Sequence, residues 1–195
     1  NNEQKMIVPI VAYGDPILKL KASEITSNEL SNLGTLINDL WETMYNAKGV
    51  GIAAPQIGIS KKIFIADFSY FKDEESFNEN ELLKMQQVFI NPEIINETGD
   101  DFVYPEGCLS IPNISENVVR KEKLKIKFLD ENLESQIINC SGIIARVIQH
   151  EYDHLQGTLF TDKLSYKKRK SLKHELNLIS VGDIEVKYKM RFYKK

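Results

Sequence analysis

Between Thr26 and Lys48 the apolar residues Leu30, Leu33, Leu36, Ile37, Leu40, Trp41 and Met44 recur at helical spacing. That period lines one face of a helix, so the segment predicts an amphipathic helix, with Thr26 and Glu29 as a capping box and Gly49 as its stop. Next comes GVGIAAPQIG, whose glycines and proline interrupt regular structure, and then a short apolar run, Ile63 to Ala66, that reads as a strand. Residues 69–84 are rich in Asp, Glu, Ser and Asn and read as a solvated loop. Strand signals return at Val88 to Ile90. They recur at Leu124 to Leu129, where Leu124, Ile126 and Phe128 alternate with Lys123, Lys125 and Lys127, and at Gln136 to Asn139. A polar turn at Asp130 to Asn132 makes that pair an antiparallel hairpin with one wet face. Ser141 is placed to cap a second helix, Ile143 to Gln156, with Gly157 as its stop. A third helix is expected from Tyr166 to Leu178, and a basic strand or tail over 180–195, with strand alternation from Ile184 to Tyr193. No βαβ rhythm is present, so the layout is strands around helices, in one domain spanning 1–195.

Composition narrows the class. The 195 residues, 42% of them hydrophobic, suffice for one sizeable core, and a net charge of -3 gives no field that would make nucleic acid or an anionic membrane the main partner. With two cysteines there is no disulfide framework, and a reducing compartment is expected. No apolar run approaches the roughly 20 residues that span a bilayer. The chain reads as soluble and cytoplasmic, residues 1–5 as a disordered or processed start, and a removed organellar targeting segment stays open.

Candidate chemistry centres on His150-Glu151-Tyr152-Asp153-His154 in the second helix. Residues four apart share a helical face, so both imidazoles can reach one ion with Glu151 beside it. A hydrolytic metal needs a third ligand. His174, in a Lys-rich stretch, reads as a solvated surface residue. Cys108, in Glu106-Gly107-Cys108-Leu109-Ser110, offers a thiolate, against the alternatives of a free thiol or a bridge to Cys140. Cys140 itself reads as a small core residue. Gln56, closing the glycine-rich loop, carries an amide able to donate to a developing oxyanion.

Together GVGIAAPQ at 49–56, EGCLS at 106–110 and QHEYDHLQG at 149–157 resemble the peptide deformylases, with likeness from Ile10 to about Asp162. The resemblance implies an α+β fold in which antiparallel sheets surround a central metal-binding HExxH helix, with an N-terminal and a C-terminal helix. It implies that Cys108, His150 and His154 bind one divalent metal, Fe(II) foremost, with Zn, Ni or Co as alternatives. Glu151 would move protons, while Gln56 and the Leu109 N–H would hold the oxyanion. Backbone groups of Gly49, Val50, Gly51 and Ile52 would pair with an extended peptide, and Glu106, Gly107, Arg146 and Val147 would face the substrate. The Arg146 guanidinium would snorkel outward over its stem, and Glu106 would form a buried pair with Arg120.

The implied reaction removes the formyl group from N-formylmethionyl nascent peptides, releasing formate. The basic tail is a candidate ribosome contact, with no membrane and no sequence-specific nucleic acid as partner. A zinc endopeptidase also uses H-E-x-x-H, but a Cys ligand with Gln56 speaks against it. A zinc-stapled binding module would need a fourth ligand, for which Cys140 is the candidate. Glu151 disfavours an inactive ribosome-associated protein.

Overall fold

The first helix obeys its apolar period only from Leu33 onward. Thr26 does start the turn, its N–H donating to the Glu29 carboxylate at 3.0 Å, but Ser27–Asn32 is a 3₁₀ turn and α1 runs Leu33–Asn46. Its core face is Leu33, Leu40, Thr43 and Met44. Leu30 is exposed, so it adds nothing to that stripe. The helix stops before Gly49, where Lys48 enters the left-handed region with φ 56°. This computed structural model describes residues 6–72 and 85–194. The expected disordered start 1–5 and most of the acidic loop lie outside the described residues.

A five-stranded sheet follows in the order β2-β3-β4-β5-β6, every neighbour antiparallel. Its strands are β2 (Gly51–Ala53), β3 (Ile63–Asp67), β4 (Gln86–Cys108), β5 (Ile111–Leu129) and β6 (Ser135–Ser141). The short run expected at Val88 to Ile90 is the start of a 23-residue strand. Length was hidden because residues beyond Ile90 are mostly polar and exposed on both faces, so alternation fails there. Four register shifts interrupt the β4–β5 ladder, and such bulges bend a sheet. The β5–β6 hairpin keeps its alternation, with Leu124, Ile126 and Phe128 buried and Lys123, Lys125 and Lys127 exposed.

The apolar faces of β2, β3, β4 and β5 meet α2 (Gly142–Leu155): Ala53, Phe64, Phe89, Leu124, Ile126 and Phe128 pack with Ile144, Ala145, Ile148 and Leu155. Phe89 touches both Phe64 and Phe128, with ring centroids 4.4 Å apart in each pair. Each such fully buried ring contributes about 1.5–3 kcal/mol of burial free energy, which fixes the helix against the sheet. Ser141 sits at the N-cap, but its side chain makes no capping bond. Gly157 closes the helix at φ +71°, and a Cβ there would lie 2.5 Å from the Lys19 carbonyl oxygen.

The stretch from Tyr166 onward departs most from its pattern. One helix was expected over 166–178; the chain forms α3 (Tyr166–Ser171) and α4 (Lys173–Val181), broken at Leu172. Of the strand expected over 184–193, only β7 (Met190–Arg191) forms, parallel to β1 (Ile10–Val11). Two residues of β1 are all the backbone on offer there, and strand alternation without a neighbour makes no ladder.

Candidate functional site

The helix α2 carries His150 and His154 one turn apart, ring centroids separated by 5.2 Å. Cys108 ends β4 and meets them: its Sγ lies 3.4 Å from His154 Nε2, and the ligand atoms of Cys108, His150 and His154 all fall within 4.8 Å of one another. One thiol and two imidazoles, two of the three buried, form a donor set suited to Zn²⁺ or Fe²⁺. Burial holds His154 well below its ordinary value, which favours the neutral imidazole a metal requires. No disulfide joins Cys108 to Cys140; Cys140 packs against the α2 core.

Glu106 fixes the geometry from behind. It accepts from Arg120 Nε at 2.6 Å and Nη2 at 2.9 Å, and from Arg146 Nη1 at 2.7 Å. Its other contact is His150 Nδ1, at 2.9 Å. With the proton on Nδ1, the Nε2 lone pair of His150 is left for a ligand role. Burial alone would raise the Glu106 carboxyl, yet hydrogen bonds from Arg120 and His150 outweigh it and hold it well below the carboxylate range. Arg120 also reaches Asp153 on α2, Nη1 to Oδ2 2.7 Å. The Glu106–Arg120 pair is thus buried, as expected.

Arg146 corrects an expectation. It does not snorkel: only 2% exposed, it donates to Glu106, to the Val118 carbonyl at 3.0 Å and to the Phe102 carbonyl, over whose ring it also lies. Three acceptors, the Glu106 carboxylate and the carbonyls of Val118 and Phe102, converge on its guanidinium. The direction of its guanidinium is not readable from helical spacing, because its partners lie on other elements.

Glu151 is buried, its Oε2 without a hydrogen-bond partner among the described residues, and burial pushes its carboxyl up to about 7. It lies against Gly51, where an added Cβ would stand 2.7 Å from Oε1. Gly49 plays the same part for Leu109, whose Cδ1 would be 2.7 Å from a Cβ. Gln56 sits in the turn Ala54–Ile57, and its Oε1 accepts the Ala53 N–H at 2.9 Å. That bond aims Nε2 at Cys108 Sγ, 3.5 Å, and Ser110 Oγ, 3.2 Å.

A cleft of about 1210 Å³ opens over these groups. Gly49, Val50, Gly51, Gln56, Glu106, Gly107, Cys108, Leu109, Arg146, Val147, His150 and Glu151 line it. Two expected site residues do not: Ile52 is wholly buried in the core with Leu40 and Met44, and His154 lies beneath the cleft floor. His174 is on the surface. Sequence reasoning missed Asp153 as the second partner of Arg120, Ser110 as a partner of Gln56, and the cleft wall formed by Ile184, Val186 and Tyr188. The Asp stood in plain view inside the quoted motif; the wall had no motif at all.

The polypeptide deformylase family model matches residues 7–170. A peptide deformylase of Christiangramia forsetii is 52% identical over 96% of this chain and 96% of its own length. That of Flavobacterium psychrophilum is 42% identical over 97% and 99%. Among solved structures, a peptide deformylase from Legionella pneumophila superposes with a TM-score of 0.77 at 38% identity, covering 91% of this chain and 98% of that one. A class I type b peptide deformylase from Acinetobacter baumannii, crystallised with Met-Ala-Ser bound, gives 0.72 at 34% over 83% and 100%. On those matches the chain belongs to the polypeptide deformylase family, and it is a metal-dependent hydrolase that removes the N-terminal formyl group from nascent proteins.

Proposed function

We propose that Cys108, His150 and His154 hold the metal, that Glu151 transfers the protons, and that the metal is Fe(II), with Zn, Ni or Co as substitutes. The observation that carries the assignment is the convergence of the three donors within 4.8 Å beside a buried carboxylate oxygen with no hydrogen-bond partner among the described residues. On this reading α2 is the central metal-binding helix of a single α+β domain, with the antiparallel sheet built around it. When bound, a divalent metal supplies Lewis acidity and makes a water acidic enough to ionise near neutrality.

The chain's own groups do the rest. Glu151, raised to about 7, is matched to taking a proton from the attacking water and delivering it to the leaving nitrogen. Gln56 Nε2 and the Leu109 N–H donate to the oxygen of the formyl carbonyl as it gains charge, usually the largest catalytic contribution. Among the described residues β2 has a strand neighbour only on its β3 side, so the backbone of Gly49 to Ile52 can take an extended peptide as an added strand. Glu106, Gly107, Arg146 and Val147 border the place of its first side chain. The Met-Ala-Ser bound to the Acinetobacter relative supports a methionyl peptide in this cleft.

Among the described residues the donor group holds three ligands and no Cys140, which leaves a zinc-stapled binding module without its fourth. Formate release from formyl-Met-Ala-Ser, run beside casein cleavage and metal analysis of anaerobically prepared protein, tests the reading. Casein cleavage without formate release would return the peptidase. For partners, the exposed Lys187 and Lys189 support, by charge, contact of the tail with the ribosome, read by salt-dependent co-sedimentation. Among the described residues no helix is long and apolar enough to cross a membrane, and the substrate arises in the cytoplasm, where we place the enzyme.

A further inference from the structure

Past residue 170, where the family match ends, the chain turns back onto the cleft. The helix α4 stops at Gly182, φ +80°, and the following segment runs along the cleft edge. Its half-buried Ile184, Val186 and Tyr188 alternate with exposed Glu185, Lys187 and Lys189. Two anchors hold it. The Asn113 amide donates to the Glu185 carbonyl at 3.1 Å, and the N–H groups of Ile10 and Ala12 donate to the carbonyls of Lys189 and Arg191, each at 2.9 Å. Between the anchors, the Tyr188 hydroxyl donates to the Leu109 carbonyl at 2.7 Å.

Leu109 needs such an anchor. It and Ser110 are the only residues between β4 and β5, and the ladder slips there, pairing Gly107 with Ser115 but Cys108 with Ile111. Within the turn closed by Cys108 and Ile111, neither Leu109 nor Ser110 has a ladder partner of its own, so no ladder bond holds the direction of the Leu109 carbonyl. What sets it comes from three distant parts of the chain. The Tyr13 N–H donates to the Ser110 carbonyl at 2.8 Å, Gln56 Nε2 reaches Ser110 Oγ at 3.2 Å, and Tyr188 takes the Leu109 carbonyl. The Tyr188 ring packs against the cluster of Leu40, Met44 and Ile52, so its hydroxyl is carried on a fixed plane.

We infer that Tyr188 is a positioning residue for deformylation: by holding the Leu109 carbonyl it aims the Leu109 N–H at the oxyanion, making the C-terminal segment part of the active site. The inference rests on the reading of Leu109 as an oxyanion donor. The Leu109 carbonyl and N–H lie in adjacent rigid peptide planes hinged at the Leu109 Cα, so holding the first plane fixes one side of that hinge, and freeing it lets the second plane swing. Losing an oxyanion donor outright costs about 10²- to 10³-fold in kcat; misdirecting one costs less.

Tyr188→Phe keeps the ring and removes only the hydroxyl. With formyl-Met-Ala-Ser, kcat should fall about tenfold, with KM within about twofold and metal content unchanged. Tyr193→Phe, exposed nearby, should keep wild-type kcat. A purely structural role would lower the melting midpoint and leave kcat intact below it, which overturns the inference. So does a raised KM with unchanged kcat, which would make Tyr188 only a wall for the peptide. Cys108→Ser and Glu151→Gln, run alongside, separate the two levels. If they are inactive while Tyr188→Phe turns over like wild type, only the inference fails; if they too turn over like wild type, the underlying reading falls with it.

Discussion

Gly51→Ala places one methyl group between β2 and the carboxylate that we propose moves the protons, Glu151. An ideal Cβ at this position stands 2.7 Å from Glu151 Oε1 and 2.9 Å from its Cδ and Cγ. Comfortable contact begins near about 3.5 Å, so something must yield by roughly 0.6–0.8 Å. Gly51 is not in the left-handed region, so alanine is not strained by its backbone and the contact itself is isolated. Glu151 cannot swing clear easily, because the crowded atoms include Cγ and the side chain is buried beside His150. Overpacking of this kind costs about 1–3 kcal/mol, which lowers the melting midpoint by roughly 2–12 °C in a chain of this size. A displacement approaching 1 Å at a reacting group costs about a hundredfold. The expectation is a fall in kcat near that size, with metal retained, measured as formate release from formyl-Met-Ala-Ser. In a Glu151→Ala background the same substitution should cost almost no stability, since the clash partner is gone. A kcat within threefold of wild type, or an equal loss of stability in both backgrounds, would refute the contact as the cause.

Other expectations test neighbouring parts. Cys108→Ser should lose most bound metal, because the remaining imidazoles hold an ion poorly; near-stoichiometric metal in the purified variant counts against the ligand set. Arg146→Met leaves Glu106 with one guanidinium fewer in a buried site, and breaking such a pair costs about 3–5 kcal/mol; urea unfolding within 1 kcal/mol of wild type would mean that Arg120 alone suffices. Glu151→Gln should bind metal and lose about 10²- to 10⁴-fold in turnover, and normal turnover would point to another base. Away from the site, Asp67 is opposed by burial but held below its ordinary 3.8 by Ser69, Tyr45 and Gln86. Tyr45, partly desolvated and bonded to that carboxylate, is pushed up to about 12. Asp67 therefore stabilises fully above 3.8 and loses its effect as pH falls through its lower folded value. Tyr45 stabilises fully below 10.0 and loses its effect as pH rises toward about 12. The stability gap between wild type and Asp67→Asn should be flat between those limits and narrow in acid; a gap undiminished well below 3.8 contradicts it.

The local pattern determined whatever depends on nearest neighbours along the chain. His150 and His154 share a face because a helix turns every 3.6 residues, and Leu124, Ile126 and Phe128 point inward because a strand alternates. The paired segments EGCLS and HEYDH carry their chemistry in residue type, so the family and a candidate donor set were legible without coordinates. What tertiary structure alone decided was direction and partnership across the chain. Arg146 turns inward because Glu106, forty residues earlier in the chain, the Val118 carbonyl and the Phe102 carbonyl converge on it, and no helical period encodes that. Ile52 is core rather than cleft because β2 shows one face to each. The strand alternation of residues 184–193 was real, but its meaning changed. A strand exists only where a neighbour supplies backbone, and β1 supplies two residues; the rest of the segment was free to become the cleft wall that sets Tyr188 on Leu109.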